Sequence, residues 1–234
     1  MPYFGGFFAD YYYLVLVVPM LILSVVAQVM VKSTYAKQSK VLSSRGITGV
    51  QAAARVLYHY GITDVRIELS PSGKLSDHYD PKAKVIRLSD GVFNSNSVAA
   101  IGIACHEAGH AAQHAQGYVP IKIRNKILPV CNIGSYLGIP LALIGYWLGF
   151  EPLVAFGLLL YSFIALFQLV TLPVELNASR RAVKVIEETN MLQPDEIGGA
   201  KKVLTAAAMT YITALLVSLA NLLRLILRFN RRDQ

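Results

Sequence analysis

Cysteine is almost missing from this chain: only Cys105 and Cys131 occur, far apart. Two isolated thiols make no disulfide framework, which excludes the small secreted scaffolds that depend on one. Charge is scarce too. Asp, Glu, Lys and Arg make up 15% of the 234 residues against 54% hydrophobic, whereas soluble domains carry about 25% charge. No Lys or Arg precedes Lys32, and no small-x-small cleavage site follows the first apolar run. That run is therefore read as a retained anchor, not a removable secretion signal. Basic and aromatic residues are not interleaved, so the net charge of +8 gives no sign of nucleic-acid binding and suits anionic lipid headgroups.

Long apolar runs are what the chain has instead. Tyr11 to Val31 is uncharged and interrupted only by Pro19, Ser24 and Gln28. Ile127 to Leu148 and Pro152 to Leu172 follow, joined by Gly149-Phe150-Glu151, and read as a transmembrane helical hairpin. Each is long enough to cross a bilayer, which takes about 20 apolar residues. None contains Lys, Arg, Asp, Glu or His, which argues against a transporter or channel, since an ion path is marked by such groups.

All 22 basic residues lie at or after Lys32, and 13 of them fall within 32–126. The positive-inside rule then puts the N-terminus and the 149–151 turn outside, with 32–126 and 173–204 in the cytoplasm. Residues 204–227 are long and apolar enough to span, but Thr210, Thr213, Asn221, Arg224 and Arg228 form a polar stripe at helical spacing. A crossing would leave Arg228, Arg231 and Arg232 outside, so the reading favours an interfacial or core-packed helix. The expected organisation is an anchor (1–31), a cytoplasmic domain (32–126), a transmembrane hairpin (127–172), a cytoplasmic helix (173–203), and a C-terminal apolar or amphipathic helix with a basic tail (204–234). The fold class is an α-helical membrane protein carrying a small α+β domain.

Within 32–126, Thr48 to Tyr60 reads as an amphipathic helix closed by Gly61. Asp64 to Leu69 alternates like a strand, and Lys74 to Tyr79, the Asp80-Pro81-Lys82 turn and Val85 to Leu88 read as a hairpin. Ser97 to Gln116 is rich in alanine and apolar residues, with N-caps available in 94–97 and a stop at Gly117. So apolar a helix must be buried almost all round.

That helix contains His106-Glu107-Ala108-Gly109-His110, an H-E-x-x-H pentapeptide. Residues i and i+4 share a helix face, so both imidazoles can reach one metal ion, and Glu107 can contact a water on it. Burying two imidazoles and a carboxylate is costly unless something satisfies them, as a metal would. Cys105 adjoins His106 but does not share its face and reads as packing. A small sheet before such a helix is the usual zincin layout, in which an edge strand accepts an extended substrate. Leu75-Ser76-Asp77-His78-Tyr79 is the candidate edge, with Ser76, Asp77, His78 and Tyr79 as substrate-binding residues; an ordinary polar hairpin tip is the competing reading.

A catalytic zinc takes three protein ligands and leaves one position for water. The metzincin pattern would need a third His at position 116, which is Gln116, and position 113 is Gln113. Three His on successive turns of one straight helix cannot converge, which leaves His114 as a supporting or surface residue. A Glu from a second helix is the other common solution. Glu175, in Pro173-Val174-Glu175-Leu176-Asn177-Ala178-Ser179-Arg180-Arg181, is the best candidate, with Pro173 suiting the start of that helix. Its competitors Glu187 and Glu188 sit in a stretch that looks solvated.

Taken together, Asp77-His78-Tyr79-Asp80-Pro81, the run from His106 to Ala115 and the run from Val174 to Ala182 resemble the YugP-like neutral zinc metallopeptidases of bacterial membranes, distant relatives of the HtpX and CAAX-prenyl-protease gluzincins. The resemblance implies His106, His110 and Glu175 on one Zn2+, Glu107 as catalytic base, and a multi-pass bacterial plasma-membrane protein with a zincin-like domain. The HtpX-type relatives place an Asp four residues after the third ligand to orient a ligand His. Here that position is Ser179, and Ser179 or Asn177 is expected to replace it.

The expected activity is a zinc-dependent endopeptidase at the cytoplasmic membrane face, acting on peptides or proteins. His78, Arg180, Arg181 and Tyr211 are candidate donors to the oxyanion. The alternative is a zinc-stabilised adaptor that binds proteins without cutting them; Glu107 beside both His argues against it, because a structural zinc site has no need of that carboxylate. Oligomeric state leaves no trace in the sequence.

Overall fold

A computed structural model describes residues 10–71, 73 and 76–230 of the chain. Its elements are α1 (Tyr13–Gln38, opening with a π-helical turn), α2 (Gly49–His59), β1 (Arg66–Leu69), β2 (His78–Asp80), β3 (Val85–Leu88), the short α3 (Asp90–Phe93), α4 (Val98–Ala115), α5 (Val119–Leu148), α6 (Glu151–Glu188) and α7 (Pro194–Asn230). The protein is mostly helical with one small sheet, and the chain divides into two compact units.

One unit comprises residues 29–122 and 173–208. At the start of α2 the Thr48 N–H donates to Gln51 Oε1 at 3.0 Å, the half of a capping box in which the side chain reaches back to the N-cap backbone. The sheet has order β1-β3-β2. β3 is central, parallel to β1 and antiparallel to β2, with His78 opposite Arg87 and Asp80 opposite Val85. Asp80 closes the β2–β3 turn by accepting from the N–H groups of Lys82 and Ala83 at 2.9 and 3.1 Å. The hairpin therefore forms as its pattern predicts, though β2 starts only at His78; Lys74 and Leu75 lie outside the described residues.

The sheet packs on α4 through β2 and β3, and α2 packs on α4 as well. Ile86, Leu88, Val56, Ile101, Ile186 and Met191 are fully buried there. Each such side chain contributes about 1.5–3 kcal/mol by leaving water. The buried Glu196 carboxylate ties the start of α7 to the chain before α2, accepting from Ser44 N–H at 2.7 Å, Ser44 Oγ at 2.6 Å and Gln193 N–H at 2.9 Å.

The other unit comprises residues up to 28, 123–172 and 209 onward. α5 and α6 approach closely where glycine leaves room. A Cβ at Gly134 would sit 2.3 Å from the Leu160 carbonyl oxygen, and one at Gly157 would sit 2.4 Å from the Ala142 nitrogen. Small residues at such spacing let helices pack backbone to backbone where no hydrophobic drive exists between them. Asp10, just ahead of α1, accepts from Arg224 Nη2 at 3.1 Å and Nε at 3.2 Å and also binds Arg228. Arg224 is buried with its guanidinium 4.9 Å from the centre of the Tyr13 ring.

Among the described residues, four helices are long and apolar enough to cross a membrane: α1, α5, α6 and α7. Two boundaries differ from the sequence reading. α6 does not begin at Pro173 but runs through it. Proline removes one N–H and crowds the carbonyl four residues back, here that of Leu169, a local cost that a long packed helix absorbs. Likewise 204–227 is no separate helix, because α7 is continuous from Pro194.

Candidate metal centre

α4 starts at Ser97, whose Oγ accepts from the Ala100 N–H at 3.2 Å, and stops before Gly117, which takes a left-handed φ of +64°. Between these caps the helix is buried except at Ile103, His106, Glu107 and His114, which are half-buried, and at the exposed last residue Ala115. α6 lies against it within the same unit. At the crossing, Gly109 meets Ala178: a Cβ there would stand 2.8 Å from the Ala178 carbonyl oxygen.

This contact brings His106, His110 and Glu175 together. Their ligand atoms all lie within 4.8 Å of one another. One Glu175 oxygen, Oε2, is 3.3 Å from His106 Nε2 and 3.5 Å from His110 Nε2. Around a tetrahedral ion with bonds of about 2.0–2.1 Å, neighbouring ligand atoms stand about 3.3 Å apart. The spacing thus suits one small cation. The imidazoles stand edge to face, with centroids 4.8 Å apart and planes at 83°.

Both rings are held from behind. His106 Nδ1 lies 3.1 Å from Ser179 Oγ, and His110 Nδ1 lies 3.0 Å from Gln113 Oε1. The Nε2 atoms are left to face the cluster, the arrangement by which ligand histidines are usually oriented. Glu175 is 3% exposed, three residues beyond the apolar run that ends at Leu172. Burial alone would raise its pKa, but the two imidazoles outweigh burial and hold the carboxyl well below the usual range. For His110, burial opposes protonation, while Glu175 and the charge of Glu107 favour it and prevail. Two histidine nitrogens and one carboxylate oxygen form a donor set that suits zinc.

The other residues singled out by sequence fall as follows. Glu187 is exposed and pairs with Lys201, and Glu188 is exposed and pairs with His59 and Lys184, so neither belongs to the cluster. His114 is half-buried with its ring 5.5 Å from that of Tyr79, which brings edge strand β2 beside the turn of α4 that follows His110. The Asp77 carboxylate turns to Ser89, accepting from its N–H at 2.7 Å and its Oγ at 3.0 Å, and so secures the start of α3. Ser76 Oγ binds Ser70 Oγ and the Gly73 carbonyl, both at 2.7 Å. The His78 ring is exposed, with Nδ1 2.8 Å from the Ser76 carbonyl oxygen.

Among the oxyanion candidates, Arg181 is engaged by Asn177 and Gln116 and lies over the rings of Tyr60 and Tyr118. Arg180 is exposed, and Tyr211 belongs to the other unit. Sequence reasoning overlooked Gln113, noted only for not being histidine. Its position three residues after His110, on the same helix face, was the available signal.

Comparison with known proteins points to the same metal. The family described as "Putative neutral zinc metallopeptidase" matches residues 13–230. The chain is 46% identical over 213 residues to the "Putative membrane protease YugP" of Bacillus subtilis (strain 168), covering 91% of this chain and 94% of that protein. No solved structure matches. By sequence over nearly its whole length, the chain belongs to the YugP-like neutral zinc metallopeptidase family.

Proposed function

We propose that this protein is a multi-pass membrane endopeptidase that hydrolyses peptide bonds at the cytoplasmic membrane face, with one zinc held by His106, His110 and Glu175. The observation that carries the reading is the convergence of two Nε2 atoms on one carboxylate oxygen, at tetrahedral-edge spacing from each, with Glu107 one residue from the first of them. Bound there, zinc supplies a Lewis acid that acidifies water and polarises the scissile carbonyl. Glu107 takes a proton from the attacking water as its oxygen bonds to the carbonyl carbon. It then passes that proton to the amide nitrogen as the C–N bond breaks. Ser179 and Gln113 keep the imidazoles pointed inward. β2, at the sheet edge beside α4, is suited to align an extended substrate by β-addition, with His78 and Tyr79 flanking it. In this reading residues 32–126 and the start of α6's second half form a zincin-like domain of gluzincin type.

The charge distribution supports a cytoplasmic site. The pairing of Asp10 with Arg224 and Arg228 supports a crossing by α7, contrary to the preference from its polar stripe: both ends then lie on the outer side, and the arginines are matched by a carboxylate. The test is Glu107→Gln in detergent-purified protein, assayed for zinc by elemental analysis and for cleavage of a fluorogenic peptide library. Zinc retained at about one per chain, as a three-ligand site requires, with turnover down about 10²–10⁴-fold, is expected. A fully active variant, or wild type that takes up no zinc, overturns the reading.

A further inference from the structure

We infer that Gln113, Asn177 and Arg181 form a directional relay that positions His110: the Val174 carbonyl and the Asn177 oxygen, itself turned by Arg181, hold the Gln113 amide so that its oxygen faces Nδ1 and Nε2 is left to the cluster. The inference rests on the zinc reading above and concerns residues that touch neither substrate nor metal. Gln113 is wholly buried. Its Nε2 donates to the Val174 carbonyl at 2.8 Å and to Asn177 Oδ1 at 3.0 Å, and its Oε1 faces His110 Nδ1 at 3.0 Å. Asn177 Oδ1 also accepts from Arg181 Nε at 2.7 Å.

The direction of each bond follows from groups that have no choice. A guanidinium only donates, so the Asn177 atom facing Arg181 is its oxygen. A backbone carbonyl only accepts, so the Gln113 atom facing Val174 is the amide nitrogen. That nitrogen has two hydrogens, and the Val174 carbonyl and Asn177 Oδ1 take one each. Gln113 Oε1 is thereby turned to His110, and as an acceptor it requires the hydrogen on Nδ1. The lone pair of His110 is left on Nε2, 3.5 Å from Glu175. Flipping the Gln113 amide would set its oxygen against two acceptors, a buried polar mismatch on both sides.

Arg181 is itself held, by Gln116 Oε1 and between the rings of Tyr60 and Tyr118 at 5.7 and 5.8 Å. The relay also joins α4 to α6 at the level of the ligands, because Gln113 and His110 belong to one helix and Val174, Asn177 and Glu175 to the other. Gln113, Asn177 and Arg181 are accordingly positioning residues.

The experiment measures zinc affinity by chelator competition, and the visible spectrum of the cobalt-loaded protein, in full-length protein purified in detergent. Gln113→Met keeps the volume and removes every hydrogen bond. Partners of this kind are worth about 10–100-fold in metal affinity, so a loss in that range with a shifted cobalt spectrum is expected. Asn177→Leu cuts the relay one step further away and should weaken zinc binding severalfold. Asn177→Asp keeps an acceptor for both neighbours and should recover most of that loss. A merely structural role would lower the melting temperature of Gln113→Met and Asn177→Leu while leaving the affinity and cobalt spectrum of the folded protein unchanged, and that result overturns the relay. Should Gln113→Met fail to fold, the Asn177 pair decides: equal affinities for Leu and Asp overturn it. Glu175→Ala separates the two claims. If wild type binds zinc and Glu175→Ala does not, the metal site stands whatever the relay variants do; if neither binds zinc, the site and the relay fall together.

Discussion

Gly109→Ala is the most revealing single-atom perturbation of this centre. A Cβ at Gly109 would sit 2.8 Å from the Ala178 carbonyl oxygen, with the Ala178 Cα and C at 3.4 Å. Restoring ordinary contact at 3.4 Å requires a shift of 3.4 − 2.8 = 0.6 Å. Both partners are helix backbone, so no flexible side chain can yield. The displacement falls between Gly109, beside His110, and Ala178, beside Ser179 and one turn from Glu175. Metal and catalytic constellations tolerate about 0.5 Å, so the ligands should no longer close on one ion. Overpacking costs about 1–3 kcal/mol, while Ala in place of Gly within a helix returns about 1 kcal/mol. The net loss of stability is thus about 0–2 kcal/mol, and zinc affinity should fall by tenfold or more. Thermal unfolding in detergent without added zinc, paired with chelator competition, separates the two effects. Gly198→Ala is the control: it lies in a helix with nothing within 4 Å of its Cβ and should keep or slightly raise stability. Undiminished stability and zinc affinity in Gly109→Ala would refute the close helix crossing as the device that assembles the site.

Ser179→Ala removes the group behind His106 Nδ1 and should weaken zinc binding about 10–100-fold without abolishing it, whereas His106→Ala should abolish it; chelator competition reads both. Added zinc should raise the melting temperature of wild type in a concentration-dependent way, by about 2.7 kcal/mol of linkage at a hundredfold excess over Kd, and should leave Glu175→Ala unmoved. Glu196→Gln, two residues into α7 and well before its apolar run, should cost about 1–3 kcal/mol, because the carboxylate accepts three hydrogen bonds. Burial alone would raise the Glu196 pKa, but the bonds from Ser44 and Gln193 and the charge of Arg45 hold it below its ordinary value of 4.5. Its stabilisation is therefore present above that value and lost as pH falls through the lowered one; acid unfolding followed by circular dichroism should show this loss in wild type and not in Glu196→Gln.

Local patterns proved readable wherever chemistry acts over a few residues. Thr48 and Gly61 bracket a helix found at Gly49–His59, and Asp80-Pro81-Lys82 turns β2 into β3. Patterns that depend on what surrounds a residue misled. Pro173 signals a helix start by its missing N–H, yet α6 carries it in its interior, since a long packed helix absorbs one lost hydrogen bond. Arg224 and Arg228 read as part of a polar stripe, and the carboxylate that pairs with both, Asp10, lies more than 200 residues away in sequence, beyond the reach of any local pattern.

By itself the sequence determined the pairing of His106 with His110 and the place of Glu107 beside them, because helical periodicity alone puts i and i+4 on one face. It also determined the apolar runs, a matter of composition and length. Only the tertiary structure decided that Glu175, which the sequence singles out over Glu187 and Glu188, closes on the two imidazoles, that Gly109 is where α4 and α6 touch, and that Gln113 stands behind His110. Those choices depend on which atoms of separate helices come within a few ångströms. No short stretch of chain encodes that distance; packing sets it.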